Sequence, residues 1–175
     1  MEKSKIVLLG YMGSGKSAVA KHIARERNLI AIDLDSYIEQ KEALPIRQVF
    51  AKHGEIYFRK KEYEYLLELL GEDTYDIISL GGGTPCYAGN MDIIRNEEDV
   101  KSVYLQANIP TLTERISKNK KKRPLVASLS DEKLSEFIAK HLFERKNFYE
   151  QAHYTVSVND KDVKTIVTEV RIVLH

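Results

Sequence analysis

Residues 10–17 read Gly-Tyr-Met-Gly-Ser-Gly-Lys-Ser, the G-x-x-x-x-G-K-[ST] spacing of a loop that wraps the phosphates of a nucleoside triphosphate. Glycines at 10, 13 and 15 let backbone N–H groups approach an anion, and a helix beginning just afterwards aims its positive end at the same charge. Gly13, Ser14, Gly15, Lys16, Ser17 and Ala18 are therefore candidate nucleotide-binding residues. Lys16 offers a mobile charge for the β- and γ-phosphates, and the Ser17 hydroxyl a ligand for Mg²⁺ carried in with the nucleotide.

Three further groups could complete a reaction. Asp33 and Asp35 close the apolar run Leu29-Ile30-Ala31-Ile32; two apart in an extended chain, they face one side, where one can serve Mg²⁺ and the other a substrate hydroxyl. Capping a helix that starts near Ser36 would account for Asp35 but not require Asp33. Gly81, Gly82 and Gly83 follow another apolar run, as suits a ligand lying against the main chain; a flexible turn is the plainer reading. Arg59 falls on the helical stripe Ile56, Tyr63, Leu66, Leu67 and Leu70, and Arg145 on the stripe Leu134, Phe137, Ile138, Leu142 and Tyr149. A guanidinium turned inward needs an anionic partner: a small carboxylate ligand would satisfy both, and an internal ion pair or a snorkelling side chain is the alternative for each. Arg123, stiffened by Pro124 at the end of a lysine-rich run, could close over a transferring phosphate as an arginine finger does.

The elements that must position these groups alternate along the chain. Strands are expected at 5–9, 30–33, 76–80, 102–105 and 154–158, with helices at 16–27, through 36–52, at 55–70, 90–96, 110–118, 131–150 and 162–174. Short apolar strands between amphipathic helices imply an α/β fold with a parallel sheet covered on both faces and ligands at the strands' carboxyl edge. A chain of 175 residues, 43% hydrophobic, suits one core. With 27 basic against 26 acidic residues, no global field draws nucleic acid or an anionic membrane, and the basic run at 118–123 lacks interleaved aromatics. The single cysteine, Cys86, excludes an internal disulfide framework, and the five histidines show no metal-ligand spacing. A cytoplasmic monomer is expected.

In order and spacing these residues resemble the shikimate kinase family, through the loop at 10–17, Asp33-Leu34-Asp35, Phe58-Arg59, Gly81-Gly82-Gly83, Arg123-Pro124-Leu125 and the segment 145–149. The resemblance implies ATP-dependent phosphorylation of the 3-hydroxyl of shikimate, toward chorismate and the aromatic amino acids. It also implies a P-loop kinase fold of the nucleoside monophosphate kinase type with about five parallel strands. One domain would cover 1–175, with a substrate-binding helical region over about 34–62 and a mobile lid over about 112–129. By the same resemblance Arg59 and Arg145 grip the shikimate carboxylate, and Asp35 with Gly81, Gly82 and Gly83 holds the ring. Asp35 orients or deprotonates the attacking hydroxyl. Ser17 ligates Mg²⁺ with Asp33 acting through water, Lys16 and Arg123 stabilise the moving phosphoryl group, and Arg115 lies over adenine. The lysine-rich 115–123 segment departs from the family's pattern and puts the role of Arg115 in question, and the loop at 159–162 lacks an arginine that some relatives place near the nucleotide. A gluconate or nucleoside monophosphate kinase would share the loop and fold, whereas a non-catalytic ATP switch would need no second ligand site.

Overall fold

The computed structural model describes residues 4–119 and 126–175. Val7, Leu8 and Leu9 of β1 (Lys5–Leu9) are wholly inaccessible to water, as a strand must be when it is paired on both edges and covered on both faces. Its neighbours are β3 (Ile77–Ser79) and β4 (Val100–Gln106), with β2 (Ala31–Asp33) and β5 (Tyr154–Ser157) outside them. The order is β2-β3-β1-β4-β5 and every pairing is parallel, so the five-stranded parallel sheet expected from the alternation is present. Chain order reverses at β1, and a ligand crevice opens at the carboxyl edge where it does.

The helices are α1 (Lys16–Arg27), α2 (Leu34–Glu42), α3 (Ile46–Gly71), α4 (Asn90–Asn96), α5 (Ile109–Ser117), α6 (Asp131–Tyr149) and α7 (Val163–Leu174). Local sequence explains several starts: the side chains of Asn108, Ser130 and Asp162 accept from the backbone N–H groups of Thr111, Lys133 and Thr165. α2 is capped by Asp33, which accepts from the Asp35 and Ser36 amides. The cap is therefore Asp33, and Asp35 belongs to the first helical turn rather than to the strand.

Two expectations for this region need correcting. The helical stretch through 36–52 is interrupted, because Pro45 cannot continue a helix and restricts Leu44 before it; α2 ends at Glu42 with Ala43 left-handed, and α3 starts at Ile46. α3 then runs on past a kink at Gly54 (φ 81°, ψ 175°), a conformation nearly confined to glycine. Its buried stripe is also different. Ile56 is 89% exposed and Leu67 39%, whereas Phe58, Glu62, Leu66 and Leu69 are buried. Simple periodicity misses this face because it contains a glutamate.

At the expected lid, Leu112, Ile116 and Val126 are fully buried, so its flanks are fixed in the core, and residues 120–125, Arg123 among them, lie outside the described residues. No helix among the described residues is long and apolar enough to cross a membrane.

The face assigned to α3 can be checked by chemical denaturation. Leu66→Ala, at a fully buried position, should cost about 2–5 kcal/mol. Ile56→Ala, near the other extreme of exposure, should stay within about 0.5 kcal/mol of the parent.

Candidate active site

The turn after β1 delivers the phosphate loop into the crevice. Gly15, at φ 98°, precedes α1, which has no side-chain cap, so the orphan N–H groups of its first turn stay available to an anion. Lys16 Nζ donates to the carbonyls of Gly10 (2.8 Å) and Tyr11 (3.1 Å), drawing the loop around itself. Ser17 Oγ donates to Asp33 Oδ2 (2.8 Å) and lies 3.5 Å from Ser79 Oγ. Strand register explains the meeting, since Ser79 is paired with both Leu8 and Asp33. These hard oxygens suit Mg²⁺, which takes one or two protein ligands and fills its octahedron with water and phosphate. No cluster of three His, Cys, Asp or Glu side chains occurs among the described residues.

A cleft of about 490 Å³ opens here, lined by Gly13, Gly15, Lys16, Ser17 and Ala18 with Asp33, Asp35, Gly81, Gly82 and Arg115. Arg115 donates to the Val158 carbonyl (3.0 Å) and to those of Gly13 (3.4 Å) and Ser14 (3.3 Å), clamping the loop to the segment after β5. Ser14 does not line the cleft: its side chain is fully buried beneath the loop and its N–H is used by Tyr11.

The acceptor side is built around the three glycines, and close approach explains each. A β-carbon at Gly81 would lie 2.9 Å from Asp35 Oδ1, one at Gly82 would lie 3.3 Å from the Met12 amide nitrogen, and one at Gly83 would lie 3.1 Å from an Arg59 nitrogen. The protein's own groups therefore crowd these positions before any ligand arrives. Burial, with Asp33 and Glu62 nearby, pushes the Asp35 carboxyl from an ordinary 3.8 up to about 6 against the opposing pull of Lys16. Among the described residues no donor lies within hydrogen-bonding distance of that carboxylate.

The two inward arginines differ. Arg59 donates from Nη1 to Glu62 (2.9 Å), pairs at Nε with Glu55 (3.5 Å), and stacks under the Tyr87 ring with its guanidinium carbon 3.8 Å from the centroid. The internal ion pair left open by the sequence is thus present for Arg59. Buried Glu62 also accepts from Thr84 Oγ1 (2.7 Å). Arg145 has no carboxylate within salt-bridge distance among the described residues; its guanidinium lies over Tyr11 at 5.7 Å and beside Gly82. Tyr149 donates to the Gly82 carbonyl (2.5 Å), fixing the glycine turn against α6.

The structure thus brings together Lys16, Ser17, Asp33, Asp35 and Gly81–83, with Arg59 and Arg145 on the far side of the glycine turn. Sequence reading missed Glu62, Thr84, Tyr87 and Tyr149. Tyr149 stood on the α6 stripe but was counted as core alone, and Glu62 carried a signal only in being three residues after Arg59. Cys86 lies close to both arginines, yet burial pushes its thiol up to about 11, in keeping with a packing residue.

The shikimate kinase family model matches residues 12–175. A shikimate kinase from Flavobacterium johnsoniae is 48% identical over 166 residues, covering 95% of this chain and 96% of the relative. Among solved structures, a shikimate kinase from Bacteroides thetaiotaomicron superposes with TM-score 0.89 at 33% identity, covering 98% of each chain. One from Acinetobacter baumannii, in complex with shikimate, gives TM-score 0.84 at 28% identity, covering 98% of this chain and 92% of that one. Since model, sequence and fold agree over almost the full length, the chain belongs to the shikimate kinase family.

Proposed function

We propose that Asp35 takes the proton of the shikimate 3-hydroxyl as that oxygen attacks the γ-phosphorus of ATP, forming shikimate 3-phosphate and releasing ADP. The observation that carries this reading is the Asp35 carboxylate itself, held against Gly81 with no donor upon it and its pKa lifted to about 6, close to neutrality where a base is most useful. The bond between the γ-phosphorus and the β,γ-bridging oxygen breaks as the new O–P bond forms. Lys16 exchanges its carbonyl partners for phosphate oxygens and, with the open N-terminus of α1, stabilises the charge that moves to the leaving group. Mg²⁺, on Ser17 with Asp33 reached through water, would neutralise phosphate charge. Arg123 is assigned to the same charge from its sequence position alone, and residues 34–62 and 112–129 to substrate-binding region and lid on the same footing. Arg115 is assigned to the adenine side.

Arg145 is the principal contact for the shikimate carboxylate, since it brings an uncompensated charge beside Gly82. Arg59 contributes direction more than charge, being balanced by Glu62 and Glu55. Gly81–83 supply the surface on which the ring lies.

ADP release with ATP, Mg²⁺ and a panel of shikimate, quinate, gluconate and nucleoside monophosphates tests the assignment. Turnover is expected with shikimate, and turnover confined to gluconate or a nucleoside monophosphate would overturn it.

Asp35→Asn should abolish most turnover while making the protein more stable. The folded-state pKa of about 6 exceeds the unfolded value near 3.8, so the folded form holds this proton more tightly. The stability this contributes is fully present below pH 3.8 and is lost as pH rises to 6. Above that pH Asn should therefore recover stability on the order of 1–3 kcal/mol, read by urea denaturation. By the same shift kcat/KM for shikimate should fall as pH drops through about 6, and a flat profile down to pH 5 would remove Asp35 as the base.

Arg145→Ala should raise the shikimate KM about ten- to hundredfold without changing that for ATP. Arg59→Ala should additionally lower stability by about 3 kcal/mol, because it leaves Glu62 buried with the Thr84 hydroxyl but without its cationic partner, and thermal melts of the two variants separate these cases.

A further inference from the structure

Tyr87 stands just beyond the 3₁₀ turn Thr84–Cys86 and contributes no group to the nucleotide cleft, yet its ring covers the guanidinium of Arg59 at 3.8 Å. The turn that carries it is tied back to α3. Thr84 donates to Glu62, Glu62 accepts from Arg59, and Arg59 lies under Tyr87, so the four residues close a ring of contacts. Asn90 adds a side-chain donation to the Thr84 carbonyl (2.8 Å) and a backbone donation to that of Tyr87 (3.0 Å), which holds the backbone from which the aromatic ring projects.

From this circuit we propose that Tyr87 is a positioning residue that sets Arg59 for the substrate carboxylate and so helps to determine affinity for a small carboxylated acceptor. The inference rests on the reading that Arg59 meets that carboxylate. A free arginine side chain loses rotamer freedom when it binds, and that loss subtracts from affinity. Here Glu62 fixes one edge of the fork, Glu55 approaches Nε, and Tyr87 covers a planar face, leaving Nη2 to present its N–H groups in a set direction. The cost of ordering is met in folding rather than on binding. Gly83 is part of the same device, since a β-carbon there would press on Arg59 at 3.1 Å and push it from beneath the ring. The contact needs the aromatic face of Tyr87 and not its hydroxyl, for which no hydrogen bond is found among the described residues.

Steady-state kinetics of the full chain, with thermal melts as a check on folding, test the proposal. Tyr87→Ala and Tyr87→Leu should each raise the shikimate KM about three- to tenfold, with kcat and the ATP KM within about twofold of the parent. Tyr87→Leu keeps apolar cover over the turn and preserves the test if the alanine variant folds poorly. Tyr87→Phe retains the ring and should restore the shikimate KM to within about twofold. In an Arg59→Lys background, Tyr87→Ala should add less than about a twofold change, because the stacked guanidinium is already absent. An unchanged shikimate KM in both Tyr87→Ala and Tyr87→Leu, a Phe variant as impaired as Ala, or an equal increase with and without Arg59 would each overturn the proposal. If Arg59→Lys itself leaves the shikimate KM at the parent value, the assignment of Arg59 to the carboxylate fails and carries the proposal with it. A raised KM in Arg59→Lys beside parental values in the Tyr87 variants would sink the proposal alone.

Discussion

The parallel pairing of β3 between β1 and β2 is the constraint from which the site follows. Ser79 is registered against Leu8 on one side and Asp33 on the other, so three strand ends stop at one level. From that level the chain launches the phosphate loop, the acidic turn into α2 and the glycine turn. None of these segments is regular structure, yet they are held close together, because β1 and β3 beneath them are buried and cannot slip without moving apolar side chains into water, and β2 is paired to β3. Ser17, Asp33 and Ser79 meet as a result of backbone pairing rather than of affinity for one another.

Above that level the problem is electrostatic. Lys16, Arg59 and Arg145 share a small space with Asp33, Asp35 and Glu62, and full internal neutralisation would leave nothing for a ligand to engage. The structure divides the charges unequally. Arg59 is balanced by glutamates, Lys16 is engaged by carbonyl dipoles of its own loop, and Asp35 and Arg145 have no opposite charge within salt-bridge distance among the described residues. The raised pKa of Asp35 is the visible cost of keeping a carboxylate so placed.

Much of this was legible in the sequence because it depends on local rules. The phosphate loop reads directly, since its glycines, lysine and serine answer to one backbone geometry, and the strand ends read from short apolar runs. Arg145 was also readable, as a charge on the apolar stripe that α6 does bury, whereas the stripe that drew attention to Arg59 is not the face that α3 turns inward. What could not be read is what depends on contacts across the chain. Ile56 and Leu67 fit a helical period as well as Phe58 and Leu69 do, and only packing against the rest of the fold, α2 included, decides which face is inward. Glu62 could not be picked out, because its partners, Arg59 and Thr84, converge only after the glycine turn is folded against α3. The three glycines were read as room for a ligand; the room is first taken by Asp35, Met12 and Arg59.

The uncapped start of α1 carries a consequence for the life of the protein outside catalysis. Among the described residues four α-helices begin on a side-chain acceptor, whereas α1, like α3 and α4, has no side-chain cap, and its start on Gly15 is the one that opens into the cleft where the nucleotide's phosphates can answer its first amides. Binding therefore completes an element of secondary structure, and by mass action the folded population grows with the supply of that ligand.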